Sequence, residues 1–168
     1  MEDFEAIWNI YCDSFPENER RSLKQQMDIM KEDKYSWYPV KDNNIIVGFY
    51  TTWDLSDFVY IEHLAFDKNS RGKGYGSNII REIIDNNNKI ILEVEEPNTH
   101  EAKKRIDFYT RLGLILNNYD YVQPAYDKNK KSVPLLIMSY PSKISEEEFK
   151  RIRNELYKKV YKVEGIIQ

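Results

Sequence analysis

Along the chain the spacing of apolar residues switches between a helical and an alternating period, and each switch marks a change of element. Phe4, Ile7, Trp8 and Tyr11 recur at helical spacing over residues 3–13, Phe15-Pro16 interrupts, and a second helix is expected from about Glu17 to Lys31. Tyr35 to Lys41 and Ile45 to Trp53 are β-rich runs around Asp42-Asn43-Asn44, a turn composition that predicts a hairpin. A third strand, Phe58 to Phe66, leads through a glycine-rich loop into a segment whose Ile79, Ile80, Ile83 and Ile84 form one helical stripe. Lys89 to Glu95 reads as a buried strand. Thr99 to Arg111 reads as a helix with Ala102, Ile106, Tyr109 and Leu112 inward, stopped by Gly113. Leu114 to Val122 and Val133 to Tyr140 are two further strands around an exposed Asp127 to Lys131 connection, and Ser145-x-x-Glu148 is a capping box opening a final helix. The expected fold class is mixed α/β (α+β), a largely antiparallel central sheet flanked by helices.

Composition narrows the function classes. With 168 residues, 41% hydrophobic and 32% charged, the chain fits one globular domain, taken as 1–168. Twenty-five Lys and Arg against 28 Asp and Glu give a net charge of −3, the opposite of the basic surplus that displaces counterions from nucleic acid, so no nucleic-acid partner is expected. Aliphatic runs such as Leu135 to Met138 fall far short of the roughly 20 residues that span a bilayer, and no membrane partner is expected. The acidic start, Met1-Glu2-Asp3, lacks the features of a secretory signal, and a cytoplasmic location is expected. One cysteine, Cys12, and two histidines, His63 and His100, supply neither a disulfide nor a recognisable metal set, so no metal is expected. A homodimer is left open.

The chemistry-bearing segment is Arg71-Gly72-Lys73-Gly74-Tyr75-Gly76, between a strand and a helix. Three glycines in five positions let backbone approach a ligand closely and point several N–H groups the same way. The first turn of the next helix adds unpaired donors and the positive end of the helix dipole, and Arg71 and Lys73 add cations. A pyrophosphate suits that arrangement. A Walker loop would need Ser or Thr after Gly72-Lys73, where Gly74 stands, and the dinucleotide fingerprint would need G-x-G-x-x-G in a βαβ unit where this loop reads G-x-G-x-G.

This segment resembles the coenzyme A signature of the GNAT superfamily of acyl-CoA-dependent N-acyltransferases: Arg or Gln, two residues, Gly, one residue, then Gly or Ala. Glu62-His63-Leu64-Ala65-Phe66 is similar to that family's fourth strand, and Phe108-Tyr109-Thr110-Arg111-Leu112-Gly113-Leu114 to its helix-to-strand junction. The resemblance covers about residues 45–140. It departs from the family pattern in having no strand before the first helix and about one extra helical turn between Asn98 and Tyr109. The resemblance implies acetyl-CoA as acyl donor, with Leu64, Ala65 and Phe66 pairing their backbone with the pantetheine arm and Arg71, Gly72, Lys73, Gly74, Tyr75, Gly76 and Ser77 cradling the pyrophosphate.

Acyl transfer to an amine needs the neutral amine, and a lysine-like amine of pKa about 10.4 is only about a thousandth neutral at pH 7. Glu62, a carboxylate just before the pantetheine-binding residues, is the expected proton acceptor, with His63 as rival. Strict alternation puts Tyr60, Glu62, Leu64 and Phe66 on one face and Ile61, His63 and Ala65 on the other, so only one of the rivals should face substrate unless a bulge intervenes. The resemblance places the Tyr109 hydroxyl near the sulfur, where it would protonate the departing thiolate. Cys12, with no adjacent base visible, reads as a structural or surface thiol, and direct transfer in a ternary complex is expected. Asp54, Glu93, Glu95 and Glu96 would favour a cationic amine; Arg20 and Arg21 bind a carboxylate or are solvated; Tyr119, Tyr121 and Tyr126 line an acceptor pocket or simply pack. The expected activity is N-acetyl transfer to a primary amine of a small molecule or protein, the alternative a non-catalytic acyl-CoA sensor.

Overall fold

The computed structural model describes residues 2–164. The domain expected over 1–168 therefore has both ends outside the described residues. Helix α1 (Glu2–Ser14), a 3-10 turn (Glu17–Glu19) and the short helix α2 (Leu23–Ile29) precede strands β1 (Tyr35–Asp42), β2 (Ile45–Asp54) and β3 (Val59–Phe66). Then come α3 (Tyr75–Asn86), β4 (Ile90–Glu95), α4 (His100–Arg111), β5 (Ile115–Gln123), β6 (Val133–Tyr140) and α5 (Glu146–Glu155), which continues into a π-helical turn, Leu156–Val160. Among the described residues no helix is long and apolar enough to cross a membrane.

The six strands form one sheet in the order β1-β2-β3-β4-β6-β5, every neighbouring pair antiparallel except β3 and β4. Alternation along β4 sends Ile90, Leu92 and Val94 into a core with Ile80 and Ile83 of α3 and Ile106 and Tyr109 of α4. Ile91 turns the other way, into a core closed by Phe149 and Ile152 of α5 and by Leu156 and Val160 beyond it. Ile7 and Tyr11 of α1 cover Phe49 and Ala65 on this second side. The β1–β2 hairpin turns on Asn43 and Asn44, both at positive φ (49° and 64°), which asparagine tolerates better than most residues.

Two expectations are corrected. The helix predicted from Glu17 to Lys31 is broken at Arg20, which is extended (φ −139°, ψ 156°). There the Arg21 N–H donates to the Tyr11 hydroxyl at 2.7 Å and the Arg21 side chain turns inward, and a new helix starts at a capping box, Ser22 with Gln25. The second concerns β3, where Ile61 pairs with Thr52 and His63 with Thr51, leaving Glu62 as the extra residue of a bulge. The bulge resets alternation: Ile61 and Leu64 share the α3/α4 side, while Tyr60, His63 and Ala65 share the other. Glu62 and His63 thus lie together rather than on opposite faces. The helix expected from Ser145 forms, with the Ser145 hydroxyl accepting from the Glu148 N–H at 3.1 Å, whereas the Glu148 carboxylate is drawn away to Lys89.

Candidate active site

β3 and β4 pair only from Val59 to Ile61 against Ile90 to Leu92, then diverge. Leu64, Ala65 and Phe66 stay bonded to Tyr50, Phe49 and Gly48 of β2, so on their β4 side the backbone is left without a strand partner among the described residues. Such an edge accepts an extended ligand as an added strand. Gly48 makes the approach of β2 possible: a Cβ there would stand 2.5 Å from the Ala65 carbonyl oxygen.

The divergence opens a cleft of about 910 Å³ that gathers Leu64, Ala65, Phe66, Arg71, Gly72, Gly74, Tyr75, Gly76, Ser77 and Tyr109. Gly72 and Gly74 sit at φ 76° and 86°, where a side chain is strained even though nothing stands within 4 Å of an added Cβ. They are glycines for conformation. Gly76 is one for packing, since its Cβ would meet Phe108 at 3.3 Å. Gly74 caps α3, so the free N–H groups of that helix's first turn open on the cleft. Arg71 Nε donates to the Phe66 carbonyl at 3.2 Å, and the Tyr75 hydroxyl to Asp42 at 2.6 Å, fixing both ends of the loop. Lys73, expected among the cofactor contacts, is exposed and absent from the cleft's lining; Lys68 and Lys104 line it instead. Asn98 is exposed, with its amide on Glu96.

Tyr109 is 8% exposed on α4, and burial raises its hydroxyl above the usual phenol range, so it carries its proton at neutral pH. The Glu62 side chain is 1% exposed and meets four donors: Arg21 through both terminal nitrogens (2.8 and 3.0 Å), Trp53 Nε1 (2.9 Å) and the Tyr126 hydroxyl (2.9 Å). Burial pushes its carboxyl up, but Arg21 and the remaining donors outweigh burial and hold it below its ordinary range. The surroundings that keep Glu62 ionised also make it a weak base. Arg21, expected to bind a carboxylate or be solvated, is instead 3% exposed and committed to Glu62. His63 is 4% exposed against Tyr11 and Phe15, its Nε2 on the Glu19 carbonyl at 3.1 Å; burial lowers its pKa and keeps it neutral.

A second cavity of about 60 Å³ adjoins the cleft, sharing Phe15 and Arg105 with it, and brings together Glu62, His63, Glu93, Gln123 and Tyr126. Glu93 Oε1 accepts from three tyrosine hydroxyls: Tyr60 at 2.5 Å, Tyr161 at 2.6 Å and Tyr121 at 3.1 Å. Burial raises the Glu93 carboxyl to about 7 against the lowering effect of these hydroxyls. Sequence reasoning saw Glu93 only as one of four acids favouring a cation. Its inward direction follows from alternation with Ile91, but the tyrosine cage comes from three separate strands and segments. Of the other residues weighed, Glu95 lines this cavity, Asp54 lies apart near Lys34, and Tyr119 packs on Phe149 and bonds the Ile144 carbonyl. Cys12 receives a hydrogen bond from Arg20 at 3.4 Å and lines neither cavity. No group of three His, Cys, Asp or Glu placed to hold a metal ion occurs among the described residues.

A splayed sheet with an open strand edge facing a glycine loop defines a class, and the comparisons agree on it: the chain belongs to the acetyltransferase (GNAT) family, whose model matches residues 4–114. A Bacteroides thetaiotaomicron protein described as a candidate GNAT-family acetyltransferase shares the structure at a TM-score of 0.89 and 30% identity, over 97% of this chain and 94% of its own. YjbC of Bacillus subtilis (strain 168), described as a candidate acetyltransferase, is 23% identical over 150 residues, 88% of this chain and 77% of its own. A GNAT-family acetyltransferase from Elizabethkingia anophelis with acetyl-CoA bound shares the fold at a TM-score of 0.52 and 14% identity, over 70% of this chain and 82% of its own.

Proposed function

We propose that this protein transfers an acetyl group from acetyl-CoA to a primary amine by direct attack within a ternary complex. The observation that carries this reading is the convergence, in one cleft, of the unpaired β3 edge at Leu64–Phe66, the positive-φ loop at Gly72 and Gly74, and the α3 N-terminus. The extended arm of the donor adds to β3 as a strand, and its pyrophosphate rests on the N–H groups of residues 72–77 with Arg71 alongside. The Elizabethkingia relative, which holds acetyl-CoA on the same fold, supports the choice of donor.

Within this reading Tyr109, buried and protonated in the cleft, delivers its proton to the thiolate as the carbon–sulfur bond breaks, then recovers one from solvent. A backbone N–H of residues 64–66 meets the oxyanion. Glu62 keeps a place as the buried anion that holds Arg21, Trp53 and Tyr126 around the acceptor side. Its lowered proton affinity makes it a weak acceptor for the amine's proton. The test is calorimetric titration with acetyl-CoA, followed by thiol release on adding a panel of amines. Binding with amine-dependent thiol release is expected. Binding with no release for any amine would favour the acyl-CoA sensor, and no binding would overturn the reading.

A further inference from the structure

The small cavity beside the cleft has a wall of acceptors short of donors. All three tyrosine hydroxyls on Glu93 bond its Oε1, and its Oε2 receives none among the described residues. His63 donates from Nε2 to a carbonyl, which leaves Nδ1 as a lone-pair acceptor, and this atom and Gln123 Oε1 are both buried without a partner. Buried acceptors left unpaired cost free energy, and His63 and Gln123 line this cavity with Glu93, so a ligand that brings N–H donors into it meets acceptors without partners. A primary ammonium group is such a ligand. At about 60 Å³ the cavity holds only a few water-sized groups, enough for the nitrogen and its first methylene or two, so that a branch beside the nitrogen competes for the same space.

We propose that this cavity receives the ammonium end of the acceptor and that Glu93 binds it and takes its proton, so that the substrate is an amine at the end of an unbranched carbon chain. The inference rests on the reading of the cleft as the acetyl-CoA site. One ammonium proton passes to Glu93 and on to solvent. The freed lone pair forms the carbon–nitrogen bond as the carbon–sulfur bond breaks, and the second proton lost by nitrogen balances the one that Tyr109 gives to sulfur. Groups facing Glu93 are Tyr60, Glu62 and His63 of β3, Tyr121 of β5, Tyr126 beyond β5 and Tyr161 after α5; Arg21 lies behind Glu62, Glu95 follows on the same strand, and Glu19 of the 3-10 turn and Arg105 of α4 line the same cavity. The tyrosines stay protonated, His63 neutral and Glu62 ionised; burial and then Glu95 raise the Glu19 carboxyl, and burial brings Glu93 to about 7.

The experiment compares n-butylamine and 1,4-diaminobutane with sec-butylamine and alaninamide as acceptors, with acetyl-CoA affinity measured separately by calorimetry. Unbranched amines are expected to exceed branched ones in kcat/KM by roughly 100-fold, and Glu93→Gln to lose about 10²–10³ in kcat/KM together with the limb near pH 7, at unchanged acetyl-CoA affinity. Tyr161→Phe removes one donor to the carboxylate and is expected to move that limb to higher pH, a shift that a merely structural role would not produce. Equal rates for branched and unbranched amines, turnover of branched but of no unbranched amine, or a limb unmoved in both variants overturns the inference alone, whereas binding of acetyl-CoA with no turnover of any amine overturns the proposed transfer and this inference with it. Failure of the wild-type protein to bind acetyl-CoA overturns the cleft's assignment and this inference with it.

Discussion

Two buried glutamates on neighbouring strands show how environment divides one residue type into opposite roles. Glu62 faces a guanidinium and is held ionised; Glu93 faces three neutral hydroxyls and, with burial dominant, rises to about 7 from its ordinary 4.5. The consequences for stability have opposite signs. The contribution of Glu93 is fully present below about pH 4.5 and is lost as pH rises through about 7, because the native state holds the proton more tightly than the unfolded chain. That of Glu62 is present above the ordinary carboxylate range and is lost as pH falls through its lowered value. His63, whose pKa burial lowers, gains stability over the same range and opposes Glu93, so the difference between wild type and variant isolates the glutamate. Thermal denaturation is therefore expected to show the Tm of Glu93→Gln rising relative to wild type between pH 5 and pH 8; a difference that stays constant over this range would contradict the assignment. Arg21→Ala strands a buried carboxylate, and chemical denaturation should show a loss of about 3–5 kcal/mol. In Tyr109→Phe, thiol release should drop by roughly 100-fold while acetyl-CoA affinity holds within about twofold, as expected of a group that acts after binding.

Among the elements, the loop was legible from sequence because it depends on local chemistry, whereas the strand edge at Leu64–Phe66 was expected only from the family resemblance, since it arises where β3 and β4 part. Three glycines before an isoleucine stripe require a tight turn into a helix, and Gly72 and Gly74 do adopt the positive φ that a side chain resists. Gly74→Val is expected to weaken acetyl-CoA binding by roughly tenfold, about the effect of 1–2 kcal/mol of left-handed strain, with little change in Tm. The bulge at Glu62 was not legible, since it is a mismatch of register between β2 and β3 and no residue in β3 announces it. Neither was the inward turn of Arg21, whose reason lies 41 residues away at Glu62. The helix break beside it did leave a trace in Ser22-x-x-Gln25, a capping box overshadowed by the apolar periodicity around it.

Over the whole molecule, the site sits where the sheet's one parallel contact fails to continue. The β3-α3-β4 crossover brings the two strands together for three pairs and then lets them part, so that one side of the gap meets the glycine loop and the other the tyrosine-lined cavity. Both cores buttress it: the α3/α4 side holds Tyr109, and the α5 side supplies Tyr161, whose segment is fixed by Leu156, Tyr157 and Val160. The central claim is that this gap takes the acyl carrier as a strand. Its most direct test is a crystal structure of the protein grown with coenzyme A. The account predicts the pantetheine arm hydrogen-bonded to the backbone of residues 64–66 on the β4 side and the pyrophosphate on the N–H groups of residues 72–77. A carrier bound elsewhere, or a gap that excludes it at saturating concentration, would contradict it.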